Sequence, residues 1–391
     1  MKIALLSAEY PPCPGGVGDY TRHLGMALVQ RDHEVIVLTG TPGTATEGGT
    51  PRVFRLALDR WNFRCWGAVR RALADLRPDV LHIQYQTGAY GMHPAINFLP
   101  RRLRMRAHQP RIVVTAHDLL PPYLFPKAGP LRDRVTRRLM IDADATVATN
   151  EEDAAQLRRW GVAEARRAPE VIPIGANIGV APPPGYERGA WRRRLGIAPD
   201  ETLIAYFGLI SRSKGLDTLV QALAHLPDTF RLLIIGGEAT APSDRAYAAE
   251  IRRRIAADDL ARRVIVTGHC HEADVSAHLL AADMAALPFA DGASFRRGSL
   301  LAVLTHGIPT VTTRGAAALR NEEHALITPP GDATALAGAI VRLANDMMLR
   351  SRLGEAGRAL AALFSWPAIA ARHEQLYRAL LSAEETIGSR R

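Results

Sequence analysis

Short apolar runs alternate along the chain with longer segments in which apolar residues recur every three or four positions. In the first half, the apolar runs predict strands near residues 3–7, 34–39, 52–56, 79–84, 111–116, 145–149 and 171–174. In the second half, they predict strands near residues 203–208, 231–236, 263–267, 283–288, 308–312 and 325–328. The segments between them predict amphipathic helices. This alternation indicates an α/β protein with two parallel sheets, each covered by helices.

The two halves are separated by residues 175–190, which contain the run Pro182-Pro183-Pro184-Gly185. A polar, proline-rich passage of this kind is typical of a linker. We therefore expect two doubly wound, Rossmann-like domains, over residues 1–177 and 185–365. Doubly wound sheets bind ligands at the carboxyl ends of their strands, so candidate functional residues should directly follow strands.

The chain has 391 residues and a formal net charge of +10, so its surface attracts anions. Arginine forms clusters at residues 101, 102, 104, 106 and 111, at 132, 134, 137 and 138, at 192–194 and at 252–254. The clusters contain no interleaved aromatic residues and match no nucleic-acid-binding module. They therefore favour anionic lipid headgroups or phosphorylated substrates over nucleic acid. Ordinary helix surfaces in an arginine-biased chain would explain any single cluster equally well.

The N-terminal apolar run is too short for a signal peptide, and no apolar run reaches the length of a membrane span. The cysteines, Cys13, Cys65 and Cys270, are few and scattered, which favours a reducing compartment over a disulfide framework. We expect a cytoplasmic protein, and its charge also suggests contact with the inner face of an anionic membrane.

Two basic loops in the second half are candidates for binding a diphosphate. One runs from Gly208 past Arg212 and Lys214 to a predicted helix, where free N–H groups, the helix dipole and side-chain cations meet. Lysine occurs only at positions 2, 127 and 214, which suggests that a compact ammonium group is needed at 214 for phosphate; a solvated basic loop is the alternative. In the other loop, Asp291 could accept hydrogen bonds from sugar hydroxyls. Its candidate diphosphate ligands are Arg296, Arg297 and the N–H groups of Gly298, Ser299 and Leu300. Glu238 and Gly268 follow strands and are further donor-side candidates.

Polar loops also follow strands in the first half. Gly15 and Gly16 allow the backbone to approach a ligand at a helix start, and His117 could donate a hydrogen bond or carry a proton. A histidine that merely ends a strand is the alternative. Hydroxyl, amide, carboxyl and aromatic groups suit a polyol acceptor, although loop packing explains them equally well. These acceptor-side candidates are Tyr10, Gln84, Tyr85, Tyr90, His93 and Asp118.

Two short patterns contain metal-ligand residue types. Asp142-Ala143-Asp144 precedes a predicted strand instead of following one, so it is interpreted as a helix end. His269-Cys270-His271 has no further ligands at metal-site spacing. The sequence therefore predicts no metal site and no cofactor.

Several of these motifs together resemble the family 4 (group 1) glycosyltransferases. The matching segments are Pro11–Gly18, His33-Glu34-Val35, His117-Asp118, Phe207–Gly215, Gly307–Val311 and Trp366-Pro367. The resemblance implies a GT-B fold, in which an N-terminal acceptor domain and a C-terminal donor domain face each other across a cleft. It also implies that a terminal helix, residues 367–391, crosses back to the N-terminal domain.

The sequence departs from this family at two places. Leu209 stands where the family commonly has an arginine, and Arg212 is our candidate to supply that charge. The family's paired glutamates would fall near Ser294 and Ala302, neither of which is acidic, so the chain resembles a branch that lacks them. Asp291 is the candidate to face the donor sugar in their place.

The resemblance implies that a sugar is moved, with retention and without a metal ion, from a UDP- or GDP-linked donor to a hydroxyl of a glycan, a lipid-linked molecule or a small molecule. Arg212, Lys214 and the 297–299 turn would stabilise the departing diphosphate, and His117 would contact the sugar. The alternatives are a nucleotide-sugar epimerase or hydrolase, a non-catalytic nucleotide-sugar-binding protein, and a peripheral membrane scaffold.

Overall fold

The computed structural model describes residues 1–13, 15–40, 50–104, 109–120, 130–165, 167–237 and 242–388. The chain divides into two compact units. The first unit contains Met1–Ile174 and Trp366–Arg391, and the second contains Gly175–Ser365. The first division falls at residue 174, three residues before the end of the N-terminal domain expected from the sequence, at 177.

The first unit is built on a parallel sheet of seven described strands in the order β3-β2-β1-β4-β5-β6-β7. These strands are β1 (Lys2–Leu6), β2 (Glu34–Thr39), β3 (Arg52–Arg55), β4 (Val80–Tyr85), β5 (Arg111–Ala116), β6 (Ala145–Ala148) and β7 (Glu170–Val171). The helices between them are α1 (Gly16–Val29), α2 (Cys65–Leu76), α3 (Leu99–Leu103), α4 (Pro130–Asp142), α5 (Glu151–Arg159) and α6 (Val162–Ala165). A 3₁₀ turn, Pro94–Phe98, precedes α3.

The second unit contains a parallel sheet of six described strands in the order β10-β9-β8-β11-β12-β13. They are β8 (Thr202–Phe207), β9 (Phe230–Ile235), β10 (Val264–Val266), β11 (Met284–Leu287), β12 (Thr310–Thr313) and β13 (Leu326–Thr328). Its helices are α7 (Arg188–Arg194), α8 (Leu216–Ala224), α9 (Pro242–Ala257), α10 (Glu272–Ala281), α11 (Gly298–Thr305), α12 (Ala333–Asn345) and α13 (Met347–Ala361).

The last helix, α14 (Trp366–Gly388), belongs to the first unit, as the resemblance implied. Tyr377 is fully buried, and its hydroxyl oxygen lies 2.6 Å from Nδ1 of His82 on β4. The Arg31 guanidinium donates a hydrogen bond of 2.5 Å to the carboxylate of Glu374. No helix in the described ranges is long and apolar enough to cross a bilayer.

Each sheet has a point where the strand order reverses, between β1 and β4 in the first and between β8 and β11 in the second. Strands β1, β4, β8 and β11 are buried along nearly their whole length, because helices cover both faces of each sheet. Loops that follow the strands at a reversal point diverge and leave room for a ligand. Most candidate loops follow β1, β4, β8 and β11, and so lie at these two positions. His117 and Asp118 follow β5, and Gly268 follows β10.

Candidate active site

The first basic loop folds back over the end of β8. Gly208 has φ of 132° and Gly215 has φ of 66°, conformations that side chains with a Cβ rarely adopt. Arg212–Lys214 form a 3₁₀ turn between these glycines. The Lys214 ammonium occupies the position that a Cβ on residue 208 would need. Glycine at 208 therefore allows the lysine side chain to lie against the end of the strand.

The second basic loop leads from β11 into α11. Asp291 forms an ion pair with Arg297, so the structure brings these two predicted site residues together. Arg297 is the N-cap residue of α11, and its guanidinium lies 4.5 Å from the centre of the Phe289 ring. Its side chain is 18% exposed, whereas that of Asp291 is 59% exposed. The carboxylate therefore orients the arginine and remains accessible to a ligand.

The two basic loops contact each other directly. The N–H of Ala290 donates a hydrogen bond of 3.0 Å to the carbonyl of Ser213. A Cβ on Gly215 would overlap the carbonyl oxygen of Pro288, so glycine is required for this approach. The loops expected from the sequence to share a ligand thus lie side by side.

In this pair of loops, the Lys214 ammonium has no counter-ion among the described residues. Burial, with a smaller contribution from the nearby Arg297 guanidinium, lowers the pKa of its ammonium group to about 8. An anion at this position would offset the repulsion between the two cations. The arrangement therefore favours a ligand with negative charge.

The start of α11 adds backbone donors. No backbone acceptor within the described part of the chain receives the N–H groups of Gly298 and Ser299, and Gly298 faces open space. The Ser299 hydroxyl is buried and has no described partner. The N–H of Leu300 donates to the carbonyl of Arg297 at 3.0 Å, and its side chain is buried. The first helical turn thus satisfies this donor, and a role of Leu300 in binding a ligand stays a prediction.

Arg212 lies on the α9 side of the loop. Its guanidinium pairs with the Glu250 carboxylate at 3.0 Å and lies 4.8 Å from the centre of the Tyr247 ring. The charge that was expected to replace an arginine at position 209 therefore has a carboxylate partner, unlike Lys214. Its role in binding the donor stays a prediction.

The other donor-side candidates are placed less centrally. Arg296 is exposed on the second basic loop. Gly268 has φ of 71°, and its backbone forms a bridge with Gly236 beyond the ends of β9 and β10. Glu238 lies outside the described residues.

In the first unit, the glycines of the loop after β1 differ in their surroundings, since two pack against Glu9 and one is exposed. The Glu9 side chain fills the place of a Cβ on Gly15, and a Cβ on Gly18 would lie 3.1 Å from the backbone of Glu9. Gly16 meets nothing within 4 Å and is open to a ligand. The sequence reasoning missed Glu9, whose position between a strand and a glycine loop was the available signal. Burial raises the pKa of this carboxyl.

His117 follows β5 and is held by its neighbours. Its Nε2 lies 3.0 Å from Oε1 of Gln84, and the Tyr20 ring meets it edge-on at 4.6 Å. Burial, with a smaller contribution from His373, lowers the pKa of His117 to about 3. The imidazole is therefore neutral near pH 7. When Nε2–H donates to Gln84, Nδ1 remains as a hydrogen-bond acceptor.

Most acceptor-side candidates have structural partners. Tyr10, Tyr85 and Tyr90 are only 6%, 0% and 1% exposed, which fits the packing alternative, and their role in binding an acceptor stays a prediction. His93 accepts a hydrogen bond from the N–H of Ala95 and caps the turn before α3. Asp118 accepts hydrogen bonds from the N–H groups of Thr87 and Leu120, at 3.4 and 3.3 Å.

The metal-like patterns show no cluster of three ligand side chains in the described residues. Asp142 is the last residue of α4, as expected for a helix end, and it pairs with Arg138. Asp144 pairs with Arg104. Both carboxylates are thus balanced by arginines.

Comparison with known families gives a direct match on both units. Residues 15–175 match the family described as Glycosyl transferase 4-like domain, and residues 201–346 match Glycosyl transferases group 1. The chain belongs to the family 4 (group 1) glycosyltransferases. The GT-B fold class and the family expected from the motifs are therefore confirmed.

Relatives of this glycosyltransferase include two curated proteins named D-inositol 3-phosphate glycosyltransferase. The one from Xylanimonas cellulosilytica is 30% identical over 61% of this chain and 58% of its own length. The one from Jonesia denitrificans is 29% identical over 57% of this chain and 54% of its own length. The chain thus spans little more than half the length of these relatives.

Solved structures resemble nearly the whole chain. A sucrose-phosphate synthase from Thermosynechococcus elongatus has a TM-score of 0.71 and 26% identity, covering 98% of this chain and 100% of that protein. HepE of Anabaena, in complex with UDP, has a TM-score of 0.73 and 19% identity, covering 97% of this chain and 100% of that protein. The HepE likeness shows the shared fold.

Proposed function

We propose that this glycosyltransferase moves a sugar from a UDP- or GDP-linked donor to an acceptor hydroxyl, with retention at the anomeric carbon and without a metal ion. One observation carries this proposal: Lys214, without a described counter-ion, lies beside Arg297 and the start of α11. Family membership and the glycosyltransferase relatives support the same reaction class.

The chemistry follows from where charge develops. As the bond between the anomeric carbon and the phosphate oxygen breaks, negative charge grows on the departing diphosphate. Preorganised cations and N–H groups stabilise such charge in place of water. Lys214, Arg297 and the N–H groups of Gly298 and Ser299 are suitably placed in one unit for this task.

Retention requires that the acceptor oxygen attack from the face that the diphosphate leaves. In this step the departing phosphate oxygen takes the acceptor proton as the new carbon–oxygen bond forms. Asp291 is held by Arg297, so we assign it to orienting the guanidinium and accepting sugar hydroxyls, not to forming a covalent bond. His117, on the first unit, would contact the transferred sugar as a neutral imidazole.

The acceptor belongs to one of three classes: a glycan, a lipid-linked molecule or a small molecule. The name of the curated relatives mentions a phosphorylated inositol acceptor. A phosphorylated polyol is therefore one of the small acceptors to be screened. Its phosphate would suit the positive charge of the chain.

The test is product analysis with UDP- and GDP-sugars, with and without each class of acceptor, on wild type and Lys214→Ala. We expect sugar transfer with the donor's anomeric configuration, activity that persists in a chelator, and at least tenfold lower turnover in Lys214→Ala. Sugar release or epimerisation without acceptor would favour the hydrolase or epimerase. Nucleotide binding without turnover would favour a binding protein. An inverted product, or loss of activity in the chelator, would overturn the corresponding part of the proposal.

A further inference from the structure

An aromatic and basic surface lies on the first unit, whereas the residues assigned to the diphosphate belong to the second unit. It is a depression of about 730 Å³ lined by Phe63, Trp66, Phe98, Arg101 and Arg102. We call these five residues the Trp66 patch. Phe63 is 53% exposed, which is unusual for a phenylalanine in a polar surface.

The rings of the patch are fixed by their contacts. The Trp66 indole N–H donates a hydrogen bond of 2.8 Å to the carbonyl of Ala95. The Phe63 ring meets the rings of Trp66 and His93 edge-on, each at 4.9 Å. The indole thus has its polar group satisfied inside the protein, and its partly exposed ring lines the depression.

The charges of the patch are all positive. Arg102 lies with its guanidinium 4.6 Å from the centre of the Trp66 ring. Neither Arg101 nor Arg102 has a carboxylate partner in the described ranges, and no acidic residue lines the depression. Most other arginines described above, such as Arg104 and Arg138, are paired. The patch is therefore both apolar and electropositive.

We propose that the Trp66 patch binds the surface of an anionic lipid bilayer. Exposed aromatic rings reside favourably at the depth of the headgroups, while guanidinium groups pair with lipid phosphates. Phe63 and Trp66 supply the rings, and Arg101 and Arg102 supply the guanidinium groups next to them.

The ring geometry favours a bilayer over nucleic acid or an acidic glycan. Bases stack on open aromatic faces, and sugars use such faces as well. Arg102 covers a face of Trp66, and Phe63 makes edge contacts with its neighbours. A bilayer needs only that apolar ring surface and cations lie on the same side, which this patch provides.

The sequence shows the basic residues of the Trp66 patch but not the aromatic residues that lie beside them. Arg101 and Arg102 belong to one of the arginine clusters, which has no interleaved aromatic residues. Folding brings Phe63, which precedes α2, and Trp66, in the first turn of α2, together with the arginines of α3. The apolar component becomes visible only in the structure.

The test is co-sedimentation of the full chain with vesicles of phosphatidylcholine, alone or with 30% phosphatidylglycerol. Wild type should bind the anionic vesicles and release them in high salt. R101Q/R102Q should lower the partition coefficient about tenfold or more, since each basic residue near a charged surface contributes about fivefold. F63A should also weaken binding. The charge-matched control R245Q/R253Q, which changes exposed positions of α9 in the other unit, should stay within about twofold of wild type.

A second readout does not depend on charge. Brominated lipids should quench part of the tryptophan fluorescence of wild type, and W66F should lose that quenched part although four other tryptophans remain. Equal binding to neutral vesicles, equal losses in the patch and control variants, or unchanged quenching in W66F would each overturn the proposal. So would patch-dependent binding of heparin or single-stranded DNA with no vesicle binding. None of these measurements uses catalytic activity, so failure here leaves the proposed function untouched.

Discussion

Ser213 and Ala290 are joined by a backbone hydrogen bond of 3.0 Å, although they belong to loops that follow different strands. The bond ties the end of the β8 loop to the β11 loop at the point where the strand order of the second sheet reverses. It keeps the Lys214 and Arg297 side chains close before any ligand arrives. The energetic cost of bringing two cations together is thus met by folding and can be relieved when an anion binds.

Gly208→Ala should damage both the fold and the site. A Cβ at this position meets the Lys214 side chain, and φ of 132° is unfavourable for alanine. We expect a stability loss of about 1–3 kcal/mol and weaker nucleotide binding. The control is Gly338→Ala on α12, where a Cβ meets nothing within 4 Å and alanine should be neutral or slightly stabilising. Thermal unfolding and calorimetry check both; equal behaviour of the two variants would contradict the packing described for Lys214.

Arg297→Gln should cost far more activity than Arg212→Gln. Arg297 is largely buried beside Lys214, whereas the Arg212 side chain is 69% exposed and paired with Glu250. We expect turnover to fall by about a hundredfold for Arg297→Gln and by less than about threefold for Arg212→Gln. Steady-state kinetics with a fixed donor checks this. A larger loss of turnover for Arg212→Gln would indicate that Arg212, and not Arg297, is the main arginine that stabilises the diphosphate.

His117→Ala should lower turnover while nucleotide affinity stays nearly that of wild type. The reason is that the residues we propose as diphosphate ligands belong to the other unit. Gln84→Leu should have a smaller effect in the same direction, since Gln84 touches His117 and orients it. Calorimetry with UDP or GDP separates binding from turnover. A parallel loss of nucleotide affinity, or unfolding of His117→Ala, would assign His117 a structural role.

Stability should decline as the pH falls from about 6.5 towards 4.5. Burial lowers the pKa of His373 to about 4 and that of His82 well below its ordinary value, so the unfolded chain takes up these protons first. The stability that neutral histidines contribute is present above pH 6.5 and is lost below it. His373→Gln should reduce this slope by up to about 1.4 kcal/mol per pH unit. Denaturant unfolding at several pH values checks it; an unchanged slope would contradict the buried, neutral state of His373.

The sequence predicted every strand in the part of the chain that the structure describes, and most of these are buried parallel strands, which are continuous apolar runs. It also placed Lys214 and Arg297 in loops that meet, because loops after neighbouring strands share one end of a sheet. Partners distant in sequence were not visible. Glu250, which pairs with Arg212, lies on the helix after the next strand, and nothing local in the 212–214 loop points to it.

Burial favours the packing alternative for some of the acceptor-side candidates. Tyrosine, histidine and glutamine suit polyol binding and core packing alike, so composition could not separate these roles. The structure buries Tyr85 and Tyr90 in the core, while Gln84 supports His117. The sequence does not reveal the contact of the Glu9 carboxylate with Gly15, because two glycines after a strand are typical of a ligand-binding loop.

We propose that the Lys214 ammonium holds the diphosphate, and because its pKa is about 8, nucleotide affinity should depend on pH in an accessible range. Nucleoside diphosphate affinity should be measured by calorimetry from pH 7.5 to 9.5 for wild type, Lys214→Arg and Lys214→Met. Because only the charged form attracts the anion, wild-type affinity should fall with rising pH, approaching about tenfold per unit above pH 8. Lys214→Arg should bind with a flat profile, since its guanidinium stays charged, and Lys214→Met should bind weakly at every pH. A wild-type profile that is flat, or Lys214→Met affinity equal to wild type, would contradict the account.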